Sequence, residues 1–249
     1  MPNRIRPVPG VTLEEAAGLT RTGDVWLFRG RTPADRAIQV ATNSPVNHVG
    51  MSVVLEDLPP LLWHAELGRS LPDLWSGTRH RGVQLHDLRA AVTVWAGRYG
   101  QRAWLRQLDP PATPETEDAV LRVIARLDGT PFPSTAGLAS SWLRGRMPSA
   151  RQLPSLARLP SMAWLRGLSR PAAEAVLDTA YCAEVLAATY QAMGLLDGRH
   201  RTNWYDAGRF WSGDELRLTE GHHLGGEIAV AVPGPPAGRG SIPPPRRPD

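Results

Sequence analysis

Short apolar runs, separated by turn-forming residues, dominate the chain and predict a sheet built from brief strands. The strongest run covers 49–55, and the turn at 57–60 would fold it back onto a second run as a hairpin. The predicted strands are 25–28, 49–55, 61–67, 83–86, 92–95 and 227–232.

Helical segments are predicted from apolar positions spaced three and four residues apart and from their flanking caps. Thr12 and Glu15 form a capping-box pattern, and Pro33 suits the first turn of a helix. Gly194 is placed as a C-cap. The predicted helices are 12–18, 32–40, 116–127, 171–179 and 182–193.

The chain is predicted to form one domain over 1–232, which contains an unusual insert and is followed by a tail. Within a predicted insert or lid at 134–170, a six-residue repeat at 149–166 places Leu or Met at every third position between prolines. Short turns suit such a repeat better than an α-helix, because its prolines would interrupt one. The Pro-rich tail at 233–249 is predicted to be disordered. An apolar and basic surface at 137–168 could contact lipid, although a loosely packed surface insert is the plainer interpretation.

Charge is concentrated in one segment rather than spread over the chain. The net charge is +4, yet residues 134–173 alone contain six Arg and no acidic residue. The chain outside this segment and the tail is acidic, which argues against nucleic-acid binding. No apolar run is long enough to span a bilayer, and the first residues do not resemble a signal peptide, so a cytoplasmic location is expected.

The single cysteine, Cys182, excludes an intrachain disulfide and a multi-cysteine metal site. It begins a strongly helical stretch, and a thiol at a helix N-terminus has a lowered pKa. The backbone N–H groups from Tyr181 to Ala183 could there stabilise an oxyanion. The alternative is a buried, unreactive cysteine.

Two histidines on the predicted hairpin are candidates for acid–base chemistry. His48 lies at the start of the 49–55 strand, and the hairpin would bring His64 to about its level. His64 and Glu66 are two residues apart and share a strand face, so either could orient His48. Structural histidines on a polar face are the alternative. The other histidines, at 80, 86, 200, 222 and 223, show no spacing typical of a nucleophile partner or a metal ligand.

The order of these motifs resembles the circularly permuted NlpC/P60 (papain-like) amidases, in particular their YiiX/YaeF-like branch. The resemblance spans about residues 20–232, and the permuted branch also has its histidine before its cysteine. The matching motifs are Gly-Asp-Val-Trp at 23–26, Asn-His-Val-Gly-Met at 47–51, Leu-Trp-His-Ala at 62–65, Asp-Gly-Thr-Pro at 128–131 and Tyr-Cys-Ala-Glu at 181–184.

This resemblance implies an α+β, permuted papain-like fold with Cys182 as nucleophile and His48 as base. The third position, which is usually Glu in this branch, is His64 here, and Ala183 stands where a Ser often follows the cysteine. Histidine occupies the third position in the lecithin:retinol acyltransferase-like relatives, and Glu66 is the alternative.

The expected function is therefore hydrolysis of an amide, peptide or ester bond through an acyl-enzyme, without metal or cofactor. The expected substrate is a small peptide, an amino-acid amide or an acyl compound. The alternatives are a lipid-directed acyltransferase or phospholipase that uses 137–168, and a catalytically dead binding module.

Overall fold

The computed structural model describes residues 10–32, 35–36, 39–40, 43–131, 170–212 and 216–232, with side chains between 170 and 180 excepted. The predictions for the 149–166 repeat, the 137–168 lipid surface and the 233–249 tail lie outside the described residues. So does the predicted insert, apart from residue 170. Of the predicted 32–40 helix, residues 32, 35, 36, 39 and 40 are described; residue 32 is a bend and the other four are helical.

The described structure contains nine strands: β1 Val11–Thr12, β2 Val25–Arg29, β3 His48–Val53, β4 Leu61–Glu66, β5 Gly82–Asp87, β6 Arg102–Arg106, β7 Leu108–Asp109, β8 His223–Leu224 and β9 Ile228–Ala231. Seven of them form a central sheet in the order β1-β9-β6-β2-β3-β4-β5. Neighbouring strands of this sheet are antiparallel, except that β1 and β9 are parallel. A second, two-stranded sheet pairs β7 with β8.

The predicted α+β class and mostly antiparallel sheet are confirmed by this arrangement. The predicted hairpin is also present as β3 and β4, in a register that sets Met51 opposite Trp63. The finer assignment, a permuted papain-like fold, stays a prediction.

Four α-helices of the described residues pack around this sheet. They are α1 Leu13–Leu19, α2 Leu88–Tyr99, α3 Pro114–Leu127 and α4 Arg170–Ala192. The capping box is present in α1, where the Thr12 hydroxyl accepts a hydrogen bond from the Glu15 N–H.

The predicted strand at 92–95 is wrong, because these residues lie inside α2. Their β-branched side chains favoured a strand locally. The wider spacing decides otherwise: Leu88, Ala91, Val92 and Trp95 form one buried helical face. Asp87 caps this helix by accepting a hydrogen bond from the Ala90 N–H at 2.7 Å.

The placement of Cys182 at a helix N-terminus is also wrong. The two helices predicted at 171–179 and 182–193 are one continuous helix, α4, and Cys182 lies more than three turns after its first residue. In a helix interior the N–H groups bond to carbonyls four residues earlier, so those from Tyr181 to Ala183 are not the open groups of a helix start. The geometric basis for their oxyanion role is therefore lost.

Two hydrophobic cores lie on opposite faces of the sheet. One packs α4 against β2, β3 and β4 and contains Val49, Met51, Trp63 and Cys182. The other packs α2 against the reverse face and contains Trp26, Phe28, Leu62 and Trp95. Consecutive residues therefore belong to different cores, as the two-residue repeat of a strand requires.

Two buried hydrogen bonds fix α4 to the sheet. The Tyr190 hydroxyl donates to the Gly23 carbonyl at 2.6 Å. The Trp63 indole N–H donates to the Thr189 hydroxyl at 3.1 Å. These bonds join adjacent residues of α4 to two different parts of the sheet and so restrict both its position and its rotation.

Asp24, in the Gly-Asp motif, has a structural role in the described residues. Its buried carboxylate accepts hydrogen bonds from the N–H groups of Arg21 and Leu108, both at 2.8 Å. Burial raises the pKa of this carboxyl to about 6. The motif thus ties the turn before β2 to the start of β7.

Among the described residues, no helix combines the length and the apolar character needed to cross a bilayer.

Replacing Tyr190 with Phe tests the attachment of α4. The substitution leaves the Gly23 carbonyl without its hydroxyl donor, so we expect the free energy of unfolding to fall by about 1–3 kcal/mol. Urea denaturation of the variant and the parent measures the change. Tyr99→Phe is the matched control, because Tyr99 is only half-buried at the end of α2. Equal losses in the two variants would contradict the role of Tyr190.

Candidate functional site

His48 and His64 meet on the α2 face of the sheet. His48 is the first residue of β3, and its Nε2 lies 3.2 Å from Nδ1 of His64 on β4. Their rings are perpendicular, with centroids 5.3 Å apart. The hairpin therefore brings together the two histidines that the sequence selected as base and orienting residue.

The contact extends inward through a third histidine that sequence reasoning set aside. His64 Nε2 lies 3.1 Å from Nδ1 of His86 on β5. His86 Nε2 in turn lies 3.1 Å from the side-chain oxygen of Gln84. We call His48, His64, His86 and Gln84 the histidine chain.

The amide of Gln84 determines the direction of every hydrogen bond in the histidine chain. Its Nε2 faces the carbonyls of His80, Gly82 and Glu66, at 2.5, 3.5 and 3.4 Å, which can only accept. The amide oxygen therefore faces His86 and must receive a proton from its Nε2.

The same assignment of donors and acceptors continues through the neutral rings. His86 Nδ1 accepts from His64, and His64 Nδ1 accepts from Nε2 of His48. A neutral imidazole has one donor and one acceptor nitrogen. His48 is therefore left with its lone pair on Nδ1, which makes Nδ1 the basic atom of the histidine chain.

Burial keeps these rings uncharged. Burial and, after it, the neighbouring His86 lower the pKa of His48 to about 4. Burial likewise lowers the pKa of His86 to about 4 and that of His64 well below its usual value. His64 and His86 are each only 1% exposed, whereas His48 is half-buried. His48 is therefore the most exposed member of the histidine chain.

Trp95 of α2 holds the two outer rings in place. Its ring centroid lies 5.0 Å from those of both His48 and His64, at 88° and 75°. Gly50 provides the space beneath them, because a Cβ at this position would lie 2.9 Å from a Leu62 methyl and 3.2 Å from the His64 Cβ. The histidine pair thus packs between the Trp95 indole and the backbone of Gly50.

Glu66, the alternative orienting residue, bonds to Ser70 and to the side chain of Trp95. Its carboxylate accepts hydrogen bonds from the Ser70 hydroxyl at 2.6 Å and the Ser70 N–H at 3.3 Å. Burial raises the pKa of this carboxyl. The structure therefore places His64, rather than Glu66, against His48.

Cys182 belongs to the core on the other face of the sheet from these histidines. It is 1% exposed and packs in the core between α4 and the sheet, with Val49 and Met51 of β3. His48 and His64 point to the reverse face, where they contact Trp95. The sheet separates the thiol from both imidazoles in this arrangement.

The nitrogens of the histidine chain do not form a metal site. Each contact joins one imidazole nitrogen directly to the next ring, so the nitrogens point at one another rather than at a shared centre. Among the described residues, no group of three or more His, Cys, Asp or Glu side chains is arranged to hold a metal ion.

His86 and Gln84 could be recognised only from the pairing of two strands, because the spacing within one segment does not connect them to His64. Both are at alternate positions of β5, so they share a face, and Gln84 lies opposite His64. Only the pairing of β4 with β5 places them next to the hairpin histidines, and that pairing joins segments 16 or more residues apart.

Comparison with known proteins gives little further information. No family model matches the chain, and no curated protein matches it. A solved structure described as metalloprotein yiiX (DUF1105) from Escherichia coli O157:H7 is similar, with 20% identity and a TM-score of 0.41. The match covers 69% of this chain and 65% of the other. A likeness at this level assigns neither a reaction nor a metal to the present chain.

Proposed function

We propose that this protein is a hydrolase of amide, peptide or ester bonds in which neutral His48 is the general base. The observation that carries the proposal is the histidine chain, which holds the His48 ring and directs its lone pair to Nδ1. A base needs a fixed ring and a fixed tautomer, and the histidine chain gives His48, its most exposed member, both.

In the proposed reaction, His48 Nδ1 takes the proton of a nucleophile as that nucleophile attacks the substrate carbonyl. The carbonyl π bond opens and gives a tetrahedral oxyanion. Its collapse breaks the bond to the leaving group, which receives the proton from His48. His64 positions the ring by accepting from Nε2 throughout, and it does not itself need to change protonation state.

The nucleophile that we propose is Cys182. The resemblance to permuted papain-like amidases supports this assignment. Because the two groups face opposite sides, the thiol can react with His48 only after a rearrangement around the start of β3. Water is the alternative nucleophile, and it needs no such movement.

The histidine chain contains no carboxylate, and this limits the basicity of His48. An imidazolium on His48 would face a neutral ring at Nε2 rather than a negative charge. This arrangement stabilises the protonated base less than an acidic third residue would. The site is therefore suited to activated esters or amides, which demand less of the base.

The lipid-directed alternative depends on 137–168, which lies outside the described residues, and stays a prediction. A binding module without activity is the remaining alternative. Turnover of 4-nitrophenyl acetate or of an amino-acid 4-nitroanilide separates it from an enzyme.

Cys182→Ala and His48→Gln test the two catalytic assignments. We expect both to reduce kcat/KM for 4-nitrophenyl acetate by about 10²-fold or more, because one removes the nucleophile and the other the base. Folding of each variant is checked by circular dichroism, and Arg122→Gln on the exposed side of α3 is the control. A fully active Cys182→Ala variant would assign the attack to water, and an active His48→Gln variant would reject the proposal.

The rate at which iodoacetamide alkylates Cys182 tests the required rearrangement separately from turnover. If the thiol and His48 meet, His48→Gln should slow alkylation near neutral pH several-fold, because the imidazole no longer accepts the thiol proton. Arg122→Gln, on the exposed side of α3, is the control. Equal rates in the parent and in His48→Gln would show that the two side chains act apart.

The pH dependence of kcat/KM tests the low pKa of His48. A base works when it is unprotonated, so a pKa of about 4 predicts that activity persists as pH falls through 6 and is lost only near 4. His64→Glu would place a carboxylate beside the His48 ring and favour its charged form. We therefore expect this variant to move the acidic limb of the profile to higher pH, whereas Arg122→Gln leaves it in place. An unmoved limb in His64→Glu would contradict the role of His48.

A further inference from the structure

Two arginines lie directly opposite each other on neighbouring strands, on the sheet face away from the histidine chain. Arg29 at the end of β2 pairs with Arg102 at the start of β6. Arg29 follows Val25 and Leu27 at alternate positions, and both of these belong to the core beneath α4. Like charges at directly opposite positions destabilise a sheet, so this pair calls for a compensating anion.

The Arg29 side chain is held in a defined position. Its Nε donates to the Pro45 carbonyl. Its guanidinium lies 5.4 Å from the ring centroid of Trp104 and 5.6 Å from that of Trp211. These two indoles contact each other edge to face. Arg29 is thus half-buried and ordered, unlike an arginine that extends freely into water.

No carboxylate neutralises this pair in the part of the chain that the structure describes: neither Arg29 nor Arg102 has a described ion-pair partner. Partial burial and the neighbouring charge of Arg102 lower the pKa of the Arg29 guanidinium. Asp35 is close to Gly30, but its two oxygens already accept hydrogen bonds from Thr32 and Asn47.

An open cleft of about 420 Å³ adjoins the two arginines and is large enough for a small molecule. Its lining is strongly basic and consists of Arg29, Gly30, Arg31, Arg36, Gln39 and Arg102. Four guanidinium groups around one cleft match the charge of a phosphate dianion better than that of a single carboxylate.

We propose that this cleft binds the phosphate group of a small anionic ligand, with Arg29 and Arg102 as its principal contacts. The ordered, half-buried Arg29 provides a fixed point of attachment, and the more exposed Arg102 closes on the anion from the neighbouring strand. The proposal is independent of His48 and of hydrolysis, because the site uses the opposite face of the sheet.

Isothermal titration calorimetry with inorganic phosphate and with phenyl phosphate tests the site at constant ionic strength. We expect binding to the parent protein and at least a tenfold higher Kd in Arg102→Gln, whose side chain is exposed and whose loss should not disturb folding. Arg29→Gln should weaken binding at least as much. Arg122→Gln removes the same charge from α3 and should leave the Kd within twofold of the parent.

The two probes identify the source of the phosphate group. Tighter binding of phenyl phosphate assigns the cleft to an organic phosphate, and equal binding assigns it to free phosphate. Titration with acetate tests the chemical class: acetate that binds as tightly as phosphate would overturn the assignment to a dianion. Absence of phosphate binding, or the same Kd in the parent and Arg102→Gln, would overturn the proposal itself.

Discussion

Successive side chains of a β-strand point to opposite faces of its sheet, and in β3 and β4 this alternation determines which groups can meet. Val49, Met51 and Trp63 are directed toward α4, whereas His48 and His64 are directed toward α2. A change of register by one residue would exchange the two sets and bury the histidines under α4. The apolar packing of Met51 and Trp63 thus also fixes the position of the histidine pair.

A neutral chain of imidazoles allows several polar rings to be buried while their nitrogens remain hydrogen-bonded. Each contact satisfies one donor and one acceptor, so His64 and His86 leave no nitrogen unpaired in the interior. A charged histidine in the same place would lack a counter-ion, and desolvation would oppose it. The absence of charge follows from burial, and the direction of the proton arrangement follows from the Gln84 amide, three contacts away from His48.

The sequence predicted those features that depend on local pattern. Alternation and turn residues located the β3–β4 hairpin, and the hairpin brought His48 to His64. Pattern within one segment could not show that 92–95 is helical, because four β-branched and aromatic residues fit a strand until Leu88 and Asp87 are included. It also could not show that α4 continues through Cys182, since Thr179 and Tyr181 weaken a helix locally but do not end it. The contribution of His86 required the long-range pairing of β4 with β5.

Gly50 has a consequence for how this arrangement can vary among related sequences. A side chain at this position would require both Leu62 and the base of His64 to shift. We therefore expect a relative that retains the three histidines to favour a glycine two residues after the first of them. The combination of His-x-Gly, Trp-His and Gln-x-His on three consecutive strands is accordingly a short signature by which distant relatives can be recognised when overall sequence identity is low.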